Sequence, residues 1–424
     1  MKKVLIITYY WPPKGGVGVQ RWLKLTKYLI EHNLELIVYT PENGGSVIED
    51  KSLLNTIPAD LKVLKRKIFE PQKITRMFTG KPPSADILLK KNNGIFQSLI
   101  LWIRANFFIP DTRCFWISPS IKFLSNYLTS NNIDVIISSG PPHSMHMIAH
   151  GLKKRHNIKW IADFRDPWTD IEYFDTLPLL AMSRAKHKKL EREVVQNADV
   201  LLTVSKSWSE LFNNLGAQKT SVLTNGYDLD DYSHPSKESA SNIFKIGHFG
   251  LYNKLRDHSF LWKTIQKISK THTDFHSNLE FLFAGEVHDN FMENISTYQY
   301  QEKLQHYSYL SHGDSIKNMM QCDLLLVAQG QTKSVSGRLP AKVFEYLGAR
   351  KPILAIGAKD SDLEKLLEPI SYAWFVDFDN SKLLYDSILE IYETRHSKEE
   401  FNDDITCFSR ESQAKQVVNL INEL

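Results

Sequence analysis

This sequence contains few cysteines and no long apolar run, and each of these features excludes some classes of protein. Only Cys114, Cys322 and Cys407 occur in 424 residues, and no two of them form a CxxC pair. A disulfide framework and a cysteine-ligated zinc site are therefore not indicated, and a reducing compartment such as the cytoplasm is predicted. No apolar run reaches the ~20 residues that a membrane-spanning helix needs, so no such helix is predicted.

The features of a cleaved signal peptide are also missing. Residues 1–3 carry two lysines and precede an apolar stretch, but that stretch breaks at Pro12-Pro13 and contains no small-residue cleavage site. Because Val4 to Ile7 are continuously apolar, we interpret this stretch as a first strand that is buried on both faces of a parallel sheet.

A strong net charge is missing too. Lys and Arg number 52 against 48 Asp and Glu, so the formal net charge is +4, which is too small to indicate nucleic acid as a partner. Hydrophobic residues make up 42% of the chain and charged residues 24%. These proportions are typical of a globular protein, and the length allows two or three domains.

One segment departs from this balance. Residues 60–122 contain twelve Lys or Arg and four Asp or Glu, which leaves a net charge of +8. Aromatic and aliphatic residues alternate with these charges. The segment therefore predicts either a surface that lies on an anionic membrane or a core helix with a solvated basic rim.

Apolar strand-like runs alternate with amphipathic helical stretches in two successive series. The polar stretch from Asp228 to Ser241, with Pro235 and several serines, separates them as a linker would. The pattern predicts an α/β fold with two Rossmann-like doubly wound domains that face each other across a cleft. The predicted boundaries are 1–227 for the first domain, 228–243 for the linker, 244–405 for the second domain and 406–424 for a final amphipathic helix.

A glycine-rich loop follows the first predicted strand. Pro13-Lys14-Gly15-Gly16 precedes a helical pattern, which is the arrangement that brings backbone close to a ligand at the carboxyl end of a sheet. The spacing is not G-x-G-x-x-G, so an NAD site and a dehydrogenase are disfavoured. The alternative is that these glycines only make a tight turn.

Charged residues stand just past another predicted strand. Asp163-Phe164-Arg165-Asp166-Pro167-Trp168 follows the run Trp160 to Ala162. Because open α/β sheets bind ligands at their carboxyl edge, Arg165 and Asp166 are candidates for a site there. The alternative is an internal ion-pair network between these two residues.

The stretch from Ser336 to Leu354 predicts a turn, a short helix that begins near Pro340, and a strand. Lys342 lies in the first turn of that helix, where free N–H groups and the helix dipole favour an anion such as phosphate. Glu345, one turn further on, is suited to accept hydrogen bonds from sugar hydroxyls. The alternative is an ordinary surface helix with an exposed Lys–Glu pair.

Taken together, these motifs resemble the family 4 retaining glycosyltransferases of the GT-B fold, which use nucleotide-sugar donors. The resemblance covers nearly the whole chain. It is carried by the glycine loop, Asp163 to Trp168, Thr224-Asn225-Gly226-Tyr227-Asp228, Gly247-His248-Phe249-Gly250 with Lys254 and Arg256, and Lys342 to Glu345.

The resemblance implies a donor site in the second domain, an acceptor site in the first, and a last helix that crosses back to the first domain. Its candidate catalytic residues are Lys254 and Arg256, which would grip the diphosphate, together with Arg165 and Asp166. Its candidate donor-binding residues are Gly15, Gly16, Gly250, Lys342 and Glu345, with Glu345 on the ribose. Asn225 is a further candidate.

Two positions depart from the family pattern. The family often has a glutamate where Gly337 stands here, eight positions before Glu345. A histidine that is common after the first-domain strand is replaced within Phe164-Arg165-Asp166, and His143 is the substitute that we consider.

The implied reaction is retaining, metal-independent transfer of a sugar from a UDP- or GDP-linked donor to a glycan or lipid-linked acceptor, with no cofactor. Asp228-Leu229-Asp230 has the letters of a metal motif, but it lies in the predicted linker and is expected to be exposed. A nucleotide-sugar epimerase and a non-catalytic nucleotide-binding scaffold are the alternatives. Polysaccharide or lipopolysaccharide assembly in the cytoplasm, with peripheral binding at the inner membrane face, is the expected setting.

Overall fold

The chain folds into two compact units, each built around its own parallel sheet. The computed structural model describes residues 1–45, 49–70, 95–233, 242–397 and 401–424. Unit 1 comprises Met1–Thr224 together with Arg410–Leu424, and unit 2 comprises Asn225–Ser409. Within the described ranges, no helix has both the length and the apolar content needed to cross a bilayer.

Unit 1 contains a seven-stranded parallel sheet with the order β3-β2-β1-β4-β5-β6-β7. The strands are β1 Lys3–Thr8, β2 Glu35–Pro41, β3 Lys62–Arg66, β4 Val135–Gly140, β5 Lys159–Phe164, β6 Val200–Thr203 and β7 Thr220–Val222. The helices are α1 Val17–Glu31, α2 Ile95–Phe107, α3 Cys114–Ser130, α4 Ser144–His156, α5 Glu172–Thr176, α6 Ala181–Asn197 and α7 Lys206–Asn214.

Unit 2 contains a six-stranded parallel sheet with the order β10-β9-β8-β11-β12-β13. The strands are β8 Phe244–Phe249, β9 Leu279–Ala284, β10 Leu304–Tyr307, β11 Leu324–Ala328, β12 Ile353–Gly357 and β13 Ala373–Asp377. The helices are α8 Ser259–Thr271, α9 Thr273–Asn278, α10 Phe291–Thr297, α11 His312–Met320, α12 Ala341–Ala349, α13 Asp362–Leu367 and α14 Ser381–Thr394. The last helix, α15 Arg410–Glu423, belongs to unit 1.

Both faces of the unit 1 sheet are buried, as the continuous apolar run of β1 predicts. Leu5 and Ile7 join one hydrophobic cluster, whereas Val4 and Ile6 join another. Since successive side chains of a strand point to opposite faces, the two clusters lie on the two sides of the sheet.

The last helix packs against α1. Its buried residues Ala414, Val417 and Ile421 join the cluster that contains Leu25 of α1. The carbonyl of Ile421 also accepts a 2.7 Å hydrogen bond from Lys2 Nζ. The C-terminal residues therefore complete the core of unit 1.

One local prediction is wrong in detail. Asp228 was expected to be exposed, but it is buried and caps a 3₁₀ helix by accepting from the N–H of Asp230. Capping satisfies a helix-end donor, so this carboxylate has a structural role.

Candidate functional site

Each sheet reverses its strand order at one position, and the predicted site residues gather at those two positions. In unit 1 the reversal lies between β1 and β4, and in unit 2 it lies between β8 and β11. In open α/β sheets, ligands bind outside the carboxyl ends of the strands at such a reversal.

In unit 2, the first turn of α12 carries a lysine–glutamate ion pair. Lys342 Nζ lies 2.5 Å from Glu345 Oε2, and the two side chains are 23% and 10% exposed. The N-cap is Pro340, and no side chain caps this helix end. The free N–H groups and Lys342 together make the start of α12 electropositive, while Glu345 supplies a carboxylate that is nearly buried.

Gly250 comes directly after β8 and lies beside this ion pair. A β-carbon on Gly250 would stand 3.9 Å from Lys342 Cγ, and the residue has a φ of +133° that favours glycine. The N–H of Gly250 donates to the Ala284 carbonyl at 2.7 Å, and the N–H of Phe249 donates to the Tyr346 hydroxyl at 2.9 Å. The structure therefore brings Gly250, Lys342 and Glu345 together, as their assignment to one site requires.

His248 is a buried group in this region that sequence reasoning did not select. Its Nδ1 donates to the Leu326 carbonyl at 3.0 Å, since a carbonyl can only accept, and its buried Nε2 has no hydrogen-bond partner in the described structure. Burial lowers the pKa of His248 to about 4, and the nearby charges of Arg256 and Lys342 also lower it. The ring is therefore neutral at pH 7, and Arg256 and Lys342 lie close enough to act on the same group.

Asp257 directly follows Arg256 and anchors the turn that carries Lys254 and Arg256 to neighbouring segments of unit 2. The Asp257 carboxylate accepts from Trp262 Nε1 at 2.6 Å, Asn294 Nδ2 at 2.7 Å and His288 Nε2 at 2.8 Å. Burial raises the pKa of Asp257, but the hydrogen bonds from His288, Trp262 and Asn294 outweigh burial and lower it. No local sequence signal marks Asp257, because its partners come from two later segments of the chain.

The two cations of this turn differ in placement. Arg256 is half-buried, and its Nη1 donates to the Leu251 carbonyl at 2.6 Å. Lys254 is exposed. Arg256 is therefore held by a hydrogen bond to the backbone, whereas the side chain of Lys254 is exposed to solvent.

In unit 1, the glycine loop leads directly into α1. Gly16 is the N-cap of this helix, with φ +94° and ψ +169°, and no side chain caps the helix end. Gly15 is half-buried and Gly16 is exposed. The first turn of α1 therefore presents backbone donors beside two residues that have no side chain.

Arg165 lies against the first turn of α1. Its Nη1 stands 2.7 Å from the position that a β-carbon of Gly18 would take, and its guanidinium carbon lies 5.6 Å from the Tyr10 ring centroid. Its Nε and Nη2 donate to the carbonyls of Gly140 and Pro141. Arg165 therefore contacts backbone carbonyls and an aromatic ring, and the alternative of an Arg165–Asp166 ion-pair network stays a prediction.

The buried ion pair of this region is instead Arg21–Asp163. Both side chains are fully buried, with Arg21 Nη2 at 2.8 Å from Asp163 Oδ1 and Nε at 3.1 Å from Oδ2. Trp22 Nε1 and Ser139 Oγ each donate to Oδ2 at 2.8 Å. Burial alone would raise the pKa of Asp163, but the charge and hydrogen bonds of Arg21 outweigh burial, so the pKa lies below its ordinary value. This network fixes α1 to the end of β5 and is structural.

His143 stands at the N-cap of α4, after β4. Its ring stacks on Trp168 with centroids 4.6 Å apart, and both ring nitrogens are buried without a hydrogen-bond partner in the described structure. Burial, and then the neighbouring His146, His187 and Arg165, lower its pKa well below the ordinary value. His143 is therefore neutral at pH 7 and carries one N–H and one lone pair that have no partner among the described residues.

Asp166 and Asn225 are the two remaining candidate site residues. Asp166 follows Arg165 and is half-buried. Asn225 is buried and belongs to unit 2, two residues before Tyr227, whose N–H donates to the Phe408 carbonyl. In the part of the chain that the structure describes, no three His, Cys, Asp or Glu side chains group as a metal site would require.

A comparison with protein families decides the assignment. The model of Glycosyltransferase Family 4 matches residues 15–231, which is more than half of the chain. The chain belongs to Glycosyltransferase Family 4. It is a glycosyltransferase, and both the predicted family and the predicted enzyme class are confirmed.

Solved structures confirm the GT-B fold of this glycosyltransferase. It is similar to sucrose-phosphate synthase from Thermosynechococcus elongatus at 11% identity, with 100% of this chain and 99% of that chain covered and a TM-score of 0.65. It is also similar to a glycosyltransferase from Rickettsia africae at 14% identity, with 100% and 98% covered and a TM-score of 0.64.

A third similar structure is TarM from S. aureus, with 11% identity, 100% of both chains covered and a TM-score of 0.65. No curated protein sequence matches the chain. At these low identities the similarity establishes the fold.

Proposed function

We propose that this glycosyltransferase moves a sugar from a nucleoside-diphosphate donor to a glycan or lipid-linked acceptor, with retention of configuration and without a metal ion. The observation that carries the proposal is the Lys342–Glu345 pair at the start of α12, beside Gly250. A cation, free backbone donors and a nearly buried carboxylate suit the phosphate and the ribose of one nucleotide.

Glu345 is assigned to the ribose hydroxyls. Its Oε2 accepts a hydrogen bond from Lys342 Nζ, and the side chain is only 10% exposed. A carboxylate oxygen that already lies in a largely buried position loses little further solvation when a hydroxyl binds to it. A vicinal diol can therefore bind there through charge-assisted hydrogen bonds.

Lys342, Arg256 and the start of α12 are assigned to the diphosphate. When the bond between the anomeric carbon and the β-phosphate oxygen breaks, negative charge grows on the leaving phosphate. Fixed cations that are directed at this oxygen stabilise the transition state more than the ground state. Lys254, which is exposed, is assigned to the same phosphates when the donor is bound.

Unit 1 is assigned to the acceptor. Arg165 lies beside the first turn of α1 and donates to the carbonyls of Gly140 and Pro141, and neither ring nitrogen of His143 has a hydrogen-bond partner in the described structure. Gly15 and Gly16 leave the start of α1 open to a ligand. In the retaining reaction, the acceptor oxygen bonds to the anomeric carbon and its proton passes to the donor phosphate, so no pair of catalytic carboxylates is required.

Two similar structures support a uridine nucleotide as the donor. TarM was solved in a complex that includes UDP and α-GlcNAc-glycerol, at a TM-score of 0.65. The E. coli protein bound with UDP-2-fluoro glucose has a TM-score of 0.59. We infer a UDP- or GDP-linked donor for this chain, and polysaccharide or lipopolysaccharide assembly in the cytoplasm as its setting.

A thermal-shift panel of nucleotides and nucleotide sugars tests the proposal. A ligand at 100 times its dissociation constant adds ~2.7 kcal/mol to the free energy of unfolding, which raises the melting temperature measurably. We expect UDP or GDP and their sugars to do so. No response to any of them would contradict the proposal and favour a scaffold, while sugar inversion without an acceptor would identify an epimerase.

A further inference from the structure

Helix α2 carries an exposed stripe of large apolar side chains. Leu99, Ile103 and Phe107 are 51%, 39% and 67% exposed. Because they are spaced four residues apart, they lie on one face of the helix. The other face is anchored to unit 1, since Asn106 donates to the Pro178 carbonyl at 2.9 Å and accepts from the N–H of Leu180 at 2.7 Å.

Neighbouring elements carry further exposed apolar side chains. Phe115 of α3 contacts Phe69, with ring centroids 5.6 Å apart, and also Phe108 at 5.8 Å. Leu180, held by Asn106, is exposed beside α2. We define the apolar face as Phe69, Leu99, Ile103, Phe107, Phe115 and Leu180. Exposed apolar groups gathered in this way mark an interaction surface.

The exposed charges that lead along the chain to Phe69 are positive. Lys65, Arg66 and Lys67 are exposed and lead along β3 directly to Phe69. Two acids of the surrounding segments, Glu70 and Asp111, are bonded within unit 1. Glu70 is buried against Arg113 at 3.3 Å, and Asp111 accepts from the N–H and the hydroxyl of Ser144. An apolar face with a basic border is complementary to anionic lipid.

Over its described residues, α2 is too short to cross a bilayer. The helix has 13 residues, and at 1.5 Å per residue it is about 20 Å long, shorter than the ~30 Å hydrocarbon core of a bilayer. Its outward face is apolar and its inward face is hydrogen-bonded to unit 1. Such a helix is suited to lie in the plane of the membrane surface rather than to cross it.

We propose that the apolar face of unit 1 inserts into the headgroup region of an anionic membrane, with Lys65, Arg66 and Lys67 bound to lipid phosphates. Of the segment 60–122 considered from its sequence, residues 71–94 lie outside the described residues, and the surface is defined without them. Binding to a membrane in this way is independent of the reaction that the enzyme performs.

Vesicle flotation of the full chain tests this inference. We expect the protein to float with vesicles that contain phosphatidylglycerol, not with pure phosphatidylcholine, and to dissociate as salt is raised. The variant Ile103→Glu/Phe107→Glu should bind at least about tenfold more weakly, because it places two charges where two apolar side chains would insert. The matched control is Met292→Glu/Leu383→Glu, which changes two exposed apolar side chains of unit 2 and should bind as the wild type does.

A second variant separates lipid binding from misfolding. Lys65→Glu/Lys67→Glu leaves the apolar face intact and should also weaken binding to anionic vesicles, while circular dichroism verifies that each variant is folded. No flotation of the wild type at low salt would overturn the inference, as would undiminished binding by both variants. A dimer in light scattering that Ile103→Glu/Phe107→Glu abolishes would identify a second copy as the occupant, and would also overturn it.

Discussion

Replacing Glu345 by glutamine tests the central assignment of the donor site. Glutamine keeps the size of the side chain and one carbonyl oxygen but removes the charge. A hydrogen bond to a charged group contributes about 1.5–3 kcal/mol and one between neutral groups about 0.5–1.5 kcal/mol. The difference of ~1–1.5 kcal/mol predicts about tenfold weaker nucleotide binding, and Glu345→Ala should lose about 10- to 100-fold.

Both substitutions also change the surroundings of Lys342. Lys342 Nζ loses its ion-pair partner in either variant, and its side chain is 23% exposed, so it can turn to water or to phosphate. A stronger contact with phosphate would offset part of the loss for a nucleoside diphosphate. A nucleoside has no phosphate, so its affinity should show the full loss of the ribose contact.

Isothermal titration calorimetry with both uridine or guanosine and the matching diphosphate separates these effects. We expect both affinities to fall, and the nucleoside to lose at least as much as the diphosphate. Glu393→Gln is the matched control, because Glu393 is an exposed glutamate on α14 of the same unit. Unchanged nucleoside affinity in Glu345→Gln and Glu345→Ala would refute the ribose assignment and leave Glu345 as a partner of Lys342 only.

Three further predictions concern other groups. Arg256→Ala should lower turnover by the order of 10²-fold in initial-rate kinetics, since it removes a cation from the leaving phosphate, and a wild-type rate would remove Arg256 from the diphosphate site. Asp163→Asn should cost about 3–5 kcal/mol in urea denaturation, because it leaves Arg21 as a buried unpaired charge, and a loss below ~1 kcal/mol would contradict the network. Burial lowers the pKa of His146 to about 3 and of His248 to about 4, so both are neutral when folded and take up protons on unfolding at acid pH. Stability should therefore be complete above about pH 6.5 and fall by roughly 2 kcal/mol per histidine by pH 5, whereas an unchanged urea midpoint would count against their burial in the neutral form.

Much of the fold was accessible from the sequence. The apolar run Val4 to Ile7 predicted a strand that is buried on both faces. In β1, the side chains of Val4 and Leu5 indeed belong to hydrophobic clusters on opposite faces of the sheet. The alternation of such runs with helical patterns predicted two doubly wound domains. These predictions succeed because the periodicity of a strand or helix depends on residues that are adjacent in the chain.

The site was predicted only in part. Gly250, Lys342 and Glu345 were selected from helix-end and glycine patterns, and the structure places them together. The border strand β3 and the stripe on α2 also lie within the basic segment that the charge count singled out. What the sequence left open was whether that segment was a core helix or a surface, because exposure depends on what packs against it.

Sequence alone therefore determined the class of fold, the order of its elements and the helix end that carries Lys342 and Glu345. Only the tertiary structure decided which charges are structural. Asp163 pairs with Arg21, which lies 142 residues away in the chain. Pairing of this kind depends on which strand and helix ends meet at one edge of a sheet, and that meeting is set by packing of the whole unit rather than by any local pattern.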